Sequence, residues 1–191
     1  MKVRESGMPE ASYWASLFNV PLILDALGID GGVIDAVEFG CGHGTFAVPA
    51  ARRIRGWLHA FDIEAGMIEA TRTLTVREGC GNVRLHLRDF VADGTGLLPA
   101  SVDYVMLFNL LHAEDPQRLL AEAWRILAPG GRLGVIHWNY DPATPRGPPM
   151  EIRPRPEDCR RWVAEAGFAL EKPHVDLPPH HYGILARKEP S

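Results

Sequence analysis

The sequence predicts an α/β fold: a doubly wound, mostly parallel seven-stranded sheet with helices on both faces and an antiparallel hairpin at its C-terminal edge. Three observations predict it. Short apolar runs alternate with stretches of helical periodicity between residues 33 and 138. A glycine-rich turn, GCGHGT, follows the first of those runs. The last two runs, ALEKPHVDL and HHYGILARK, are joined without an intervening helix, so they can pair antiparallel.

Each element follows in order. Residues 8–27 read as a helix, because Trp14, Leu17, Phe18 and Leu24 share one apolar stripe, and Gly28 closes it. VIDAVEF (33–39) is a short apolar strand. After the glycine turn, FAVPAARRI is a helix whose Pro49 falls near the first turn, where a missing N–H costs least. GWLHAFD (56–62) is the second strand. Met67, Ala70, Thr71 and Leu74 then repeat at helical spacing. NVRLHLRDF (82–90) alternates as the third strand. SVDYVMLFNLL (101–111) is nearly all apolar, as a parallel strand buried on both faces should be. Asp115 and Pro116 open a helix with Leu119, Leu120, Ala123, Trp124 and Leu127 on its face. Pro129-Gly130-Gly131 ends it, and RLGVIHW (132–138) is the fifth strand. Residues 141–156 hold six prolines and predict an extended loop. A helix over 156–166 precedes the final hairpin.

Composition excludes several classes. The 191 residues fit one domain, and a 46% hydrophobic, 23% charged mix excludes wholesale disorder. A net charge of −4 offers no basic field for a nucleic acid backbone. No apolar run is long enough for a membrane span, and MKVRESGMPE has no apolar stretch typical of a signal peptide. Cys41, Cys80 and Cys159 are odd in number and far apart, which argues against a disulfide framework or a zinc site. A reducing, cytoplasmic setting is the expectation.

The chemistry concentrates after the first strand, at Glu38-Phe39-Gly40-Cys41-Gly42-His43-Gly44. Alternating glycines let the chain turn sharply and let a ligand lie on bare backbone. Glu38 would repel a pyrophosphate and hold a cationic ligand. The third glycine also comes one residue too early for the dinucleotide fingerprint. Asp62 ends the second strand, where a carboxylate accepts hydrogen bonds from a ribose diol. Ile63 and Met67 would then cover a base. Asp89 ends the third strand beside Phe90, placed either to meet an adenine or to cap a turn. Asn109, Leu110 and His112 lie at the carboxyl end of the fourth strand, where open α/β sheets bind ligands.

Together, EFGCGHG, Asp62, Arg88-Asp89-Phe90, VDYVMLFNLLHAEDP and RILAPGGRLGVIHW resemble the class I S-adenosylmethionine-dependent methyltransferases, in particular the small type 11 group related to ubiquinone/menaquinone-biosynthesis enzymes. The resemblance covers about residues 34–138. It implies that Glu38, Gly40, Cys41, Gly42 and Gly44 cradle the methionine part of S-adenosylmethionine and of its product, S-adenosylhomocysteine. It implies ribose binding by Asp62, adenine binding by Asp89 and Phe90, and a contribution of Asn109 near the methionine amine.

The expected organisation is one methyltransferase domain over 1–191. It comprises a helical lid at 1–32, a cofactor-binding core at 33–138, a proline-rich loop at 139–156, and a helix and hairpin at 157–191. The expected function is methyl transfer to a small-molecule acceptor, without nucleic acid, membrane or metal. The rivals are a protein that binds the cofactor without catalysis and a nucleotide-dependent oxidoreductase. Should the acceptor carry a proton that must leave, a base is required. His112, His137, His180, His181, Tyr13 and Tyr140 are the candidates, and His137 at the end of the fifth strand is the best placed. His180 and His181 are poor joint metal ligands, because adjacent strand residues face opposite sides. Tyr13, Trp14, Phe18, His112, Trp138, Arg153 and Arg155 are the candidate acceptor contacts.

Overall fold

The computed structural model describes residues 8–189. The portions of the expected domain at 1–7 and 190–191, including the start of the lid and the end of the hairpin, lie outside the described residues. Seven strands form one sheet: β1 (Ala36–Phe39), β2 (Leu58–Asp62), β3 (Val83–Leu87), β4 (Val102–Phe108), β5 (Leu127–Trp138), β6 (Ala169–Leu177) and β7 (His181–Arg187). Their order is β3-β2-β1-β4-β5-β7-β6. The first five are parallel, and β7 pairs antiparallel with both β5 and β6. The doubly wound sheet with its C-terminal hairpin is therefore borne out. The strand order reverses direction between β1 and β4. In such sheets the crevice outside the carboxyl ends at that switch point is where ligands bind.

Alternate residues of the buried strands enter two cores. On one face Ala36, Tyr104, Met106, Ile136 and Trp138 pack with Leu17, Phe18, Ile23, Leu24 and Phe46. On the other, Val37, Phe39, Val105, Leu107 and Val135 meet α5 (Pro116–Ile126) and α6 (Pro156–Glu165). This explains the near-continuous apolar run of β4, since both of its faces are covered.

Two expectations change. The helix expected over 8–27 is two short helices, α1 (Ala11–Ser16) and α2 (Val20–Ala26). Asn19 breaks the run by capping α2, its Oδ1 accepting from the Leu22 N–H at 3.3 Å, with Pro21 in the first turn. The fifth strand is longer than expected. It begins at Leu127 and takes in Pro129-Gly130-Gly131, with Gly130 at φ +80° and a register shift against β4. The remaining helices are α3 (Ala47–Ala51) and α4 (Ala65–Arg77).

The loop of residues 139–155 is organised around one side chain. Arg153 is buried and donates to the carbonyls of Pro148, Asn139 and Asp141 at 3.0 Å each, to Arg146 O at 3.4 Å, and to Thr144 Oγ1 at 2.6 Å. Gly147, at φ +124°, lets the backbone pass close by, for a Cβ there would lie 2.7 Å from the guanidinium and 2.9 Å from Trp138. Prolines lack an N–H and so cannot build a ladder among themselves. The guanidinium instead supplies the donors that their segment's carbonyls need. Replacing Arg153 by Met should leave those carbonyls short of donors. We expect a loss of about 2–4 kcal/mol and a fall in Tm of roughly 5–15 °C for a domain of this size, read by differential scanning calorimetry. An unchanged Tm would show that the loop holds itself without this residue.

Candidate active site

The site is built where β1 and β4 end. The glycine turn leaves β1 with Gly40, Gly42 and Gly44 at φ +70°, +54° and +81°, conformations that L side chains rarely adopt. All three also stand at close approaches, Gly44 with a would-be Cβ 3.1 Å from Thr71. A Cβ on Gly40 would lie 3.2 Å from Leu110, and one on Gly42 would lie 2.9 Å from the Met8 methyl. The turn is fixed from outside. Asp62 Oδ2 accepts from the Gly42 N–H at 2.9 Å, and its Oδ1 accepts from the Glu64 N–H at 2.9 Å. Thr71 of α4 donates its hydroxyl to the Gly42 carbonyl at 2.8 Å. The Cys41 N–H bonds to Phe61 O at 2.9 Å, and its thiol is buried, with the pKa raised mainly by desolvation.

Glu38 is fully buried within β1, and its Oε2 has no hydrogen-bond partner. Burial first, and the charge of Asp62 second, hold its pKa well above the usual carboxyl range. Burial also raises Asp62, against the lowering effect of the Glu64 and Gly42 N–H bonds. Across the crevice, Asn109 follows β4 at φ +58°, outside the ordinary range for a residue with a Cβ. Its backbone N–H bonds to Ile136 O at 2.8 Å, while its Oδ1 is buried without a partner. Strain of this kind persists only where the surroundings enforce it, and it clusters at functional sites. Two buried oxygens without a partner, Glu38 Oε2 and Asn109 Oδ1, and a glycine turn therefore lie at the adjoining ends of β1 and β4. That donor and acceptor set fits a ligand bearing an ammonium and a sulfonium.

The other expected residues are distributed unevenly. Ile63 is over a third exposed, and Met67 is half-buried at the start of α4. Asp89 closes a turn, its Oδ1 accepting from the Val91 and Ala92 N–H groups at 3.1 and 2.9 Å. Phe90 departs from its expected place beside an adenine. It is buried in the core, stacked on Phe39 at 5.0 Å and 19°, because the Asp89 turn folds it under the sheet. Trp14 and Phe18 do reach the fifth-strand end, with ring centroids 6.2 and 6.1 Å from Trp138. Tyr13, one residue earlier, points outward and is 44% exposed.

Arg153 and Arg155 are both engaged by other parts of the chain. The first is the centre of its loop, and the second stacks over the Tyr140 ring at 4.0 Å and starts α6. His137 is fully buried. Its Nδ1 accepts from the Trp138 N–H at 3.0 Å, and its Nε2 lies 3.4 Å from His112 Nδ1. That pairing places the His137 proton on Nε2, directed at His112. Burial keeps the ring neutral, and no lone pair remains to face an acceptor. His137 thus has both ring nitrogens turned to neighbours within the chain, the Trp138 N–H and His112. Two contributors were outside the expected set. Thr71 was read only as part of a helical face, and Met8 carried no sequence signal at all.

A parallel sheet with an antiparallel C-terminal hairpin and an acidic, glycine-rich switch point defines a Rossmann-like cofactor-binding domain. Residues 36–131 match the methyltransferase domain family, and the chain belongs to it. The resemblance to the class I, type 11 enzymes is borne out at this level, and S-adenosylmethionine is their cofactor. The chain is 34% identical over 100 residues to the aklanonic acid methyltransferase DauC of Streptomyces sp. (strain C5), covering 51% of this chain and 44% of that one. It spans less than half the length of the curated relatives it matches. Among solved structures, an S-adenosylmethionine-dependent methyltransferase from Aquifex aeolicus superposes with a TM-score of 0.82 at 20% identity, over 94% of each chain. The [4+2]-cyclase SpnF superposes at 0.75 with 18% identity, over 98% of this chain and 85% of that one. Both likenesses are of fold.

The state of Glu38 generates a prediction. In the free protein burial favours the protonated form of its carboxyl. A bound cation favours the ionised form, so binding should release a proton and affinity should rise with pH up to the folded pKa. The sign for stability is opposite. The folded state holds a proton that the unfolded chain releases, so the ligand-free protein should lose stability as pH rises above the ordinary carboxyl range. Glu38→Gln should abolish proton release and weaken S-adenosylmethionine binding by about 1–3 kcal/mol. Calorimetry in buffers of different ionisation enthalpy measures both, and equal heats in all buffers for the unmodified protein would contradict the assignment.

Proposed function

We propose that the chain moves the methyl group of S-adenosylmethionine to a small-molecule acceptor. The observation that carries this reading is the pair of unpartnered buried acceptors, Glu38 Oε2 and Asn109 Oδ1, facing the glycine turn at the switch point. The cofactor brings a methyl already activated by its sulfonium, so the chain has mainly to hold, align and exclude water.

Glu38 and Asn109 suit the ammonium end, the bare backbone of Gly40–Gly44 suits close approach, and Asp62 suits a ribose. Asp62 already receives two backbone N–H groups, so it serves the loop as well as the ligand. Asp89 remains assigned near the adenine through its turn rather than with Phe90. The acceptor side is walled by Trp14, Phe18 and Trp138, with the Arg153-centred loop behind Trp138 at Gly147. His112, oriented by His137, is the histidine available to a reacting proton.

The small-molecule acceptor is supported by the relative named for aklanonic acid and by the absence of a basic field. The domain division expected above and a cytoplasmic site of action belong to this proposal. Among the described residues no helix is long and apolar enough to cross a membrane, and no group of three or more His, Cys, Asp or Glu is placed to hold a metal.

Two rival readings are a protein that binds the cofactor without catalysis and a nucleotide-dependent oxidoreductase. Titration calorimetry should show micromolar binding of S-adenosylmethionine and S-adenosylhomocysteine and none of NADH. Mass spectrometry of a metabolite-extract screen should then show S-adenosylhomocysteine accumulating only with the protein and an acceptor. Binding without turnover would move the reading to a cofactor-binding protein, and NADH affinity alone would return it to an oxidoreductase. Asp62→Ala should weaken cofactor binding by about 1–3 kcal/mol. It should also lower Tm by a few degrees, since the Gly42 and Glu64 donors lose their acceptor.

A further inference from the structure

His181 opens β7 directly opposite Trp138 of β5, at the same end of the sheet as the glycine turn. It is 2% exposed, and neither Nδ1 nor Nε2 has a hydrogen-bond partner. An imidazole carries one donor and one acceptor, so both of its polar functions are withdrawn from water and unused. Aromatic faces enclose it. Phe18 stacks on the ring at 4.4 Å and 27°, and Trp138 lies at 4.2 Å and 46°. Trp14 packs on both of those rings. Phe18 also touches Phe46 at 5.1 Å, and Phe46 touches Phe108 at 5.0 Å. The aromatic box therefore abuts both the start of α3 after the glycine turn and the end of β4 before Asn109.

A buried side chain with two idle polar atoms is costly to a fold unless something satisfies them. No neighbour here does so. Its near charges are the Arg153 guanidinium, engaged with loop carbonyls, and the adjacent His180. With burial foremost they hold His181 neutral, its pKa lowered to about 3. A neutral imidazole among aromatic faces suits a flat, uncharged ring carrying one hydroxyl group. Dispersion and stacking would hold such a ring, and the imidazole would meet its O–H. Entry needs one element to move. The Phe18 ring would have to turn aside, and it sits in the short joint between α1 and α2, from Leu17 to Asn19.

We propose that His181 is the specificity-determining residue of the acceptor site, hydrogen-bonding the hydroxyl of a planar aromatic or enolic acceptor held among Trp14, Phe18 and Trp138. This rests on the methyl-transfer reading for the meaning of "acceptor", but not for the binding itself.

The test uses 2-naphthol and naphthalene as probes, with and without S-adenosylhomocysteine, on the whole chain labelled with 15N in its histidines. In the unmodified protein 2-naphthol should bind at least about tenfold tighter than naphthalene, since a site built to bond a hydroxyl rejects the analogue lacking it. The 15N resonances of His181 should shift with 2-naphthol alone. His181→Phe should keep naphthalene and S-adenosylhomocysteine binding while losing the preference for 2-naphthol. Equal binding of the two probes, no binding of either, unshifted His181 nitrogens, or a preference that survives in His181→Phe would each overturn the proposal. The nitrogen shifts are read on the unmodified protein, so the result stands even where the variant fails to fold. Failure to bind S-adenosylhomocysteine, by contrast, would count against the methyltransferase reading and leave the probe comparison intact.

Discussion

Gly42 is gripped on both of its peptide faces. Its N–H is taken by the Asp62 carboxylate at the end of β2, and its carbonyl by the Thr71 hydroxyl from α4. Without those two bonds, a turn with three glycines would be among the most conformationally free segments of the chain. With them, its N–H and C=O directions are set by two neighbouring elements. The consequences spread outward. Asp62 must be buried to reach the loop, and its buried charge faces Glu38 one strand away. That proximity adds to desolvation in raising the Glu38 pKa, so the same carboxylate that fixes the loop also favours the neutral form of a second carboxyl. The fixed loop and the raised Glu38 pKa thus have a common origin at the end of β2.

The parts of this arrangement that were legible in the sequence are those with a local signature. The glycine spacing, the strand-ending Asp62 and the alternation of apolar runs need only a few neighbouring letters to be read. Glu38 was legible as a charge beside the turn, although its protonation was not, because that depends on packing from β2 and β4. Asn109 could be placed at a strand end, but its positive φ and its bond to Ile136 O across the sheet have no local signature. Phe90 misled for a related reason. Adjacency to Asp89 says nothing about which way the ring turns, and the turn closed by Asp89 sends it onto Phe39. The break in the N-terminal helix was readable at Asn19-Val20-Pro21, yet an apolar stripe running across it carried the stronger periodic signal. Arg153 was illegible in principle. Four carbonyls and a hydroxyl from a proline-rich loop define its role, and no spacing rule connects them.

The two histidine clusters illustrate how position within a sheet decides chemistry. His137 and His181 are close neighbours at the joined ends of β5 and β7, and both are buried and neutral. His137 has each ring nitrogen committed, one to the Trp138 N–H and one toward His112. His181, one residue beyond the point of commitment, has neither nitrogen engaged. Two residues of the same type, at nearly the same depth, are therefore suited to opposite tasks: one to hold a neighbour in place, the other to meet a group that arrives.

Glu38 Oε2, Asn109 Oδ1 and the nitrogens of His181 share a further property. Each is a buried polar atom left unsatisfied, and each lies at the end of the sheet where β1, β4 and β5 finish. Such atoms destabilise a fold by about 1–3 kcal/mol apiece, an amount comparable to a sizeable fraction of a domain's net stability. A chain can tolerate that concentration of cost only if the surrounding frame is stable independently of it. Here the frame is the double core that covers β1 and β4 on both faces, together with a loop locked by a single guanidinium. Rigidity is placed around the crevice and deficiency within it. That is the distribution expected of a site whose unsatisfied atoms find their partners in ligands rather than in the protein.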